Sequence, residues 1–282
     1  MHSIDNLNQF GNLPIESTVR PVVYTAVFGD YDRVAPVPSE WPCDFICFTD
    51  NPSLSIAGWK TVCVSANGET PARANRRYKI LPHLYLSECE KSLYVDANIR
   101  IKSDPSPLFK KYLTSGVIAI PRHLERESVF AEAQNCIDRK LVDRNKTERQ
   151  MARYRIDGLP SKHQLTENGV MFRNHLDGNI KAAMTTWWQE YCNGADRDQL
   201  SLPYVSWKHN LAISDIDEGP RKSVEYFRID LHNRDKEKSS FRRLAVSINN
   251  RKHFSTLYSS LAKLINLAVT VRDRIMNRFN IP

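Results

Sequence analysis

No stretch of the 282 residues comes near the ~18 consecutive apolar positions that a membrane span needs. The opening segment, MHSIDNLNQFGNLPIEST, has no apolar core and no cleavage signature, so no secretory leader is expected there. The six cysteines (Cys43, Cys47, Cys63, Cys89, Cys136 and Cys192) form no C-x-x-C pair, and four of them sit in or beside apolar runs. That usage disfavours structural zinc and points to a reducing, cytoplasmic setting. Glycine fingerprints are missing too: no G-x-G-x-x-G follows the first apolar run and no G-x-x-x-x-G-K-S/T occurs anywhere. The dinucleotide fold and the P-loop thus lose their main support. No internal repeat is visible. What is present is ordinary for a globular chain, 41% hydrophobic and 26% charged, which removes collagen-like and disordered classes.

The formal net charge is +8, but it is unevenly placed. Residues 221–282 carry 14 basic and 5 acidic side chains, whereas the first 220 carry 26 and 27. A nearly neutral body with a basic appendage is the pattern of a chain whose tail faces something anionic. Nucleic acid is disfavoured as that partner, because aromatics are not interleaved with the basic residues as a stacking platform requires.

Along the chain, residues 1–19 read as a flexible lead-in. VVYTAVF (22–28), DFICFTDN (44–51) and WKTVCV (59–64) read as strands, and residues 71–90 as a helix that Pro82 kinks or splits. SLYVDANIRI (92–101) is read as one strand, with GVIAI (116–120) and NGVMFR (168–173) as further short strands. Residues 126–154 and 179–192 are helical in character, and DQLSLPYVSW (198–207) continues beyond the second of these. Alternating strands and helices predict an α/β domain over 20–245 with a mostly parallel central sheet flanked by helices. A basic amphipathic helical tail is expected over 246–282. In it Leu257, Leu261, Leu264, Ala268, Val271 and Ile275 recur at helical spacing. Such a tail either docks on an anionic membrane surface from its inner face without spanning it, or packs against the domain or a second subunit.

Chemistry concentrates around residues 73–98. SLYVDAN offers Asp96 and Asn98 after an apolar run, at the strand end where open α/β sheets bind ligands. Two oxygen side chains flanking the small Ala97 suit a hard divalent cation and a diphosphate, although Asp-x-Asn also makes turns. Arg73, Arg76 and Arg77 recur at i, i+3 and i+4 with Lys79 close behind, which suits phosphate recognition or a solvated helix face.

The order of these segments resembles that of GT-A-type glycosyltransferases. YTAVFGDYD (24–32) is similar to their first strand and base-binding loop, CFTDN (47–51) to their second strand end, and residues 73–101 to the basic helix leading into the D-x-D strand. ENGVMFRN (167–174) and DRDQLSLPYV (196–205) resemble the N-A-G-V strand and D-Q-x-x-L segment of family eight. Together with RHLERESVFAEAQNCI (122–137), the chain looks most like the glycosyltransferase-like family catalogued as domain of unknown function 616, over about residues 22–235.

That resemblance implies a transferase moving sugar from a nucleoside-diphosphate donor, UDP-linked by expectation, to a saccharide or lipid-linked acceptor in cell-surface polysaccharide synthesis. Thr25, Phe28 and Asp50 would meet the nucleoside; Arg76, Lys79, Asp96, Ala97 and Asn98 the diphosphate. Mn²⁺ or Mg²⁺ would be held by Asp96, Asn98 and His232, with His209 as the alternative histidine. Asn at position 98, where the family has Asp, brings less charge, so a catalytically inactive nucleotide-sugar-binding or scaffold protein is the competing reading. Asp198 is expected either to take the acceptor's proton or to contact the donor sugar, unless it is simply a helix cap. Gln199, Glu167, Asn168, Gly169, His123 and Arg126 are the expected substrate contacts, the last two in a polar cluster with Glu127.

Overall fold

The computed structural model describes residues 20–29, 31–236 and 239–278, with the side chains of residues 234, 270 and 272–278 outside that description. The lead-in expected over 1–19 lies outside the described residues. Six strands form the main sheet: β1 (Val22–Val27), β2 (Asp44–Thr49), β3 (Lys60–Cys63), β4 (Lys91–Val95), β6 (Ile118–Ala119) and β7 (Val170–Asn174), in the order β3-β2-β1-β4-β7-β6. β1 through β4 are parallel where they pair, and β7 runs antiparallel between β4 and β6. The expected mostly parallel α/β sheet is therefore present. β5 (Ile99–Ile101) and β8 (Phe227–Ile229) form a separate antiparallel pair.

The central strand explains the architecture. All six residues of β1 are buried, because helices cover both faces of the sheet, and its apolar run has no polar side. Alternation then sorts its side chains. Val22, Tyr24 and Ala26 join a core with Tyr78, Trp187 and Leu202, while Val23 and Val27 join a second core with Phe109, Phe172 and Phe227. The first core is covered by α1 (Pro71–Ile80), α3 (Val129–Asp138), α4 (Arg144–Ile156), α5 (Gly178–Asn193) and α6 (Asp198–Lys208), and the second by α2 (Ser106–Leu113).

Three boundaries differ from expectation. Residues 92–101 are two strands in different sheets, broken at Asp96–Asn98, where the Ile99 amide donates back to the Asp96 carbonyl at 2.8 Å. α1 stops at Ile80, short of the helix expected to residue 90, and a 3-10 turn over Pro82–Leu84 follows, so of the two outcomes expected at Pro82 the helix is split. The stretch 126–154 is two helices, interrupted where Lys140 takes a left-handed φ of 55°. Beyond β8, α7 (Asn233–Lys236), α8 (Ser240–Arg251) and α9 (Thr256–Arg278) complete the chain, and the boundary expected at 245 falls inside α8. No described helix is long and apolar enough to cross a membrane.

Candidate active site

A cavity of ≈ 550 Å³ opens at the C-terminal edge of the parallel strands, within the range of about 300–1,000 Å³ usual for ligand sites. β1 delivers Phe28 there, and β4 delivers Asp96, Ala97 and Asn98. Because β7 runs antiparallel, the residues that precede it, Glu167, Asn168 and Gly169, arrive at the same edge. α1 lays Arg76 and Lys79 along one wall, and α6 begins at the cavity with Asp198 and Gln199.

The centre is a charged quartet. The Lys79 ammonium lies 2.8 Å from Asp198 Oδ2 and 3.3 Å from Asp96 Oδ1, and the Arg76 guanidinium lies 3.4 Å from Asp198 Oδ1. Lys79 is only 1% exposed, a burial tolerable for a cation because two carboxylates and the face of Tyr94, 5.0 Å away, surround it. Tyr94 also donates a 2.9 Å hydrogen bond to Asp96 Oδ1. Burial pushes the Asp198 carboxyl upward, but Lys79 and Arg76 outweigh it and hold the group well below the usual carboxylate range. Asp198 is not a helix cap: Arg197 occupies that position and Asp198 is the first residue inside α6.

Of the three arginines expected on one face of α1, only Arg76 reaches the cavity. Arg73 and Lys79 flank Arg76 at equal helical angles, but Lys79 faces the cavity while Arg73 and Arg77 turn toward Glu69 and Trp188. The backbone carbonyl of Lys79 is held from beneath by Tyr24 and by Arg173, which is completely buried on β7.

Asn98 and His232 meet at a second corner. The Asn98 amide nitrogen is 3.3 Å from His232 Nε2 and 3.3 Å from the Asp230 carbonyl, so both contacts leave its oxygen out. His232 Nδ1 faces the Asp32 carboxylate at 2.8 and 3.0 Å, which places the ring proton on Nδ1 and the lone pair on Nε2. Sequence reasoning assigned Asp32 no role, although it lies in the quoted YTAVFGDYD segment. Its partner is 200 positions away.

The remaining wall is polar. Asn168 is 6% exposed, accepts from Thr166 Oγ1 at 2.7 Å and leaves its amide nitrogen without a protein partner. Gln199 donates to the Thr166 carbonyl at 2.8 Å. Glu167 pairs with Arg221 at 3.0 Å, and burial raises its pKa against that pull. His123 accepts the amides of Glu125 and Arg126 through Nδ1 at 3.1 and 3.0 Å. Burial, followed by the charge of Arg126, pushes its pKa down to about 4. Arg126 is bound to the buried Glu132, which also holds Arg197 at 3.4 Å.

Four of the residues named from the sequence do not line this cavity. Thr25 is 1% exposed because it lies two residues inside the end of β1, whereas Phe28 lies just past that end and reaches the cavity. Asp50 instead locks the β1 end, accepting the Gly29 amide at 3.1 and 3.2 Å. His209 bonds Thr186 Oγ1 at 2.8 Å at the far end of α6, roughly 16 Å along the helix from Asp198. Glu127, too, stays outside the cavity, pairing with Lys162 at 3.7 Å.

The TOD1/MUCI70 glycosyltransferase-like domain model matches residues 6–216. The chain belongs to this family. That membership, in a glycosyltransferase-like domain family, puts its activity class in glycosyl transfer. No curated protein matches its sequence. Among solved structures, mouse xyloside xylosyltransferase 1 in its apo form is 11% identical, covering 71% of this chain and 85% of that one at a TM-score of 0.40. The galactosyltransferase LgtC, in complex with donor and acceptor sugar analogs, is 12% identical, covering 70% and 73% at 0.40. The apo bifunctional glycosyltransferase WbbM is 9% identical at 0.45, and the present chain spans 40% of its length. At these scores the likeness is too loose to transfer a site from any of them.

Proposed function

We propose that this TOD1/MUCI70 protein transfers a sugar from a nucleoside-diphosphate donor, UDP in the first instance, to a saccharide or lipid-linked acceptor of cell-surface polysaccharide synthesis. The observation that carries the proposal is the Arg76–Lys79–Asp96–Asp198 quartet at the C-terminal strand edge, opposite Asn98 and His232 in one cavity. Loss of a nucleoside diphosphate builds negative charge on the leaving oxygen. Fixed, partly desolvated cations aimed at that oxygen stabilise the transition state more than the ground state. Lys79 and Arg76 supply them, and the two aspartates hold them in place before the donor arrives. The nucleoside would lie over Phe28 and Ala97, with the exposed ring of Tyr31 beside it.

The donor set fits a divalent cation shared with a diphosphate. His232 Nε2 carries a lone pair fixed by Asp32, Asn98 keeps its amide oxygen out of both of its contacts, and Asp96 commits only Oδ1. Among the described residues no three His, Cys, Asp or Glu converge, so the set brings too little charge to hold a cation alone. Asp96, Asn98 and His232 would hold Mn²⁺ or Mg²⁺. When bound, that ion would neutralise diphosphate charge.

Asp198, ionised and doubly paired, is a weak base at neutral pH. We therefore assign it to holding Lys79 and Arg76 against the donor sugar, and give the acceptor's proton to Glu167, whose basicity burial raises. Asn168, with its unpartnered buried nitrogen, would bond a sugar hydroxyl.

Thermal shift with UDP, with and without Mn²⁺, tests the assignment, since a ligand at about 100 times its Kd adds about 2.7 kcal/mol to stability. Asp96→Ala is expected to abolish the Mn²⁺-dependent shift and donor turnover. An unchanged shift in that variant would overturn the site. Wild-type protein that binds UDP-sugar but never turns it over would establish the inactive, scaffold alternative.

A further inference from the structure

The α8–α9 hairpin sorts its apolar residues onto two faces. Ala262 of α9 is 2% exposed against α8, where Ala245 and Ile248 are also buried, and Asn249 and Asn266 exchange reciprocal 3.0 Å amide bonds across the pair. Leu257, Leu261, Leu264, Leu267 and Val271 face outward instead, between 39% and 75% exposed. At 100° per residue these five fall within an arc of about 120°, so they form one continuous stripe and not scattered surface leucines. The packed alternative expected for the tail thus accounts for the Ala262 side of α9 and leaves the leucine side uncovered.

Charge identifies what would cover it. From residue 239 to residue 278 the sequence holds eight Lys and Arg against a single Asp. Lys263 beside the stripe and Arg243 and Arg251 on α8 are exposed. A second copy docking through the same face would set these like charges against each other, whereas an anionic surface is complementary to them. We propose that the leucine stripe of α9 inserts at the interface of a bilayer rich in anionic phospholipid, with the hairpin's basic residues at the headgroups.

The hairpin is also wall to the site. Val246 and Asn250 of α8 line the active-site cavity, and Lys252 and His253 both hold Glu125, in the loop that carries His123 and Arg126. Docking through α9 would therefore hold the domain beside the membrane, with α8 between the stripe and the cavity. If the glycosyl-transfer reading holds, this gives access to an acceptor anchored in lipid.

Co-sedimentation of the full chain with vesicles tests docking without reference to activity. Binding to phosphatidylcholine vesicles containing about 30 mol% phosphatidylglycerol is expected at low salt, about tenfold weaker near 500 mM NaCl, and weaker still to phosphatidylcholine alone. Leu261→Asp combined with Leu264→Asp should reduce binding about 100-fold with an unchanged melting curve, since both side chains are solvent-facing. Lys263→Glu, which touches no apolar contact, should reduce it about tenfold. Absence of vesicle binding, or equal binding by both variants, overturns the proposal. So does a concentration-dependent dimer that the double variant dissolves while vesicles are ignored, which would make the stripe an interface between copies of this chain.

Discussion

Gly169→Ala isolates the placement of the Asp96 carboxylate. A Cβ at this position would stand 3.1 Å from Asp96 Oδ2 and 2.8 Å from Ile99 Cδ1. The isoleucine methyl is the end of a flexible side chain and can swing away. The carboxylate cannot follow as easily, because Oδ1 is tied to Tyr94 at 2.9 Å and to Lys79 at 3.3 Å, and the Asp96 amide donates to the Gly169 carbonyl at 2.8 Å. A retreat of a few tenths of an ångström lengthens both charge-assisted bonds and turns Oδ2 off its line into the cavity. Hydrogen bonds to charged groups are worth about 1.5–3 kcal/mol, so losing the equivalent of one in the transition state lowers kcat/KM by about 10- to 150-fold. Gly169 has no left-handed φ, so alanine brings no backbone strain, and its lower unfolded-state entropy offsets some of the cost. Steady-state donor turnover alongside a thermal melt is the assay. The expected result is a large loss of turnover with Tm nearly unchanged. Turnover within twofold of wild type would show that the Asp96 position does not matter to the chemistry.

Asp32→Ala should weaken Mn²⁺-dependent UDP binding about 10- to 100-fold while leaving metal-free binding unchanged, because it releases the ring that presents His232 Nε2; titration calorimetry separates the two. Asp198→Asn should lower turnover at every pH, whereas Glu167→Gln should remove a titrating limb from the kcat/KM profile. The reverse pattern would return the base role to Asp198. His83, His123 and His175 are each pushed down to about 4, chiefly by burial. The unfolded chain therefore binds more protons than the folded one between about pH 6.5 and 4, so their stabilising contribution is complete above 6.5 and lost on acidification. For the fully buried His175 the loss at pH 5 is about 2 kcal/mol, with less for the partly exposed pair. A Tm that stays flat from pH 7 to 5 would contradict this.

The sequence alone carried the α/β class, the strand edge at Asp96 and the pairing of that strand with the basic helix. Each follows from short-range pattern: unbroken apolar runs such as VVYTAVF, a polar break after Val95, and cations at helical spacing. It also grouped His232 with Asn98, which the structure brings to 3.3 Å in the cavity, and isolated the amphipathic tail by periodicity and charge. Local pattern could not choose which face of α1 meets the cavity, so Arg73 and Arg76 looked equivalent until Glu69 and Trp188 drew the first away. Nor could it show that Asp198 would be buried between two cations, because pKa depends on neighbours 119 and 122 positions distant in the chain. Asp32 meets His232, and Asn98 meets Asp230, only because β5 pairs with β8 and folds the chain's last third back over the β1 end. The residue types were fixed by the sequence. Their protonation, their orientation and their company were decided by long-range contacts, which no local spacing encodes.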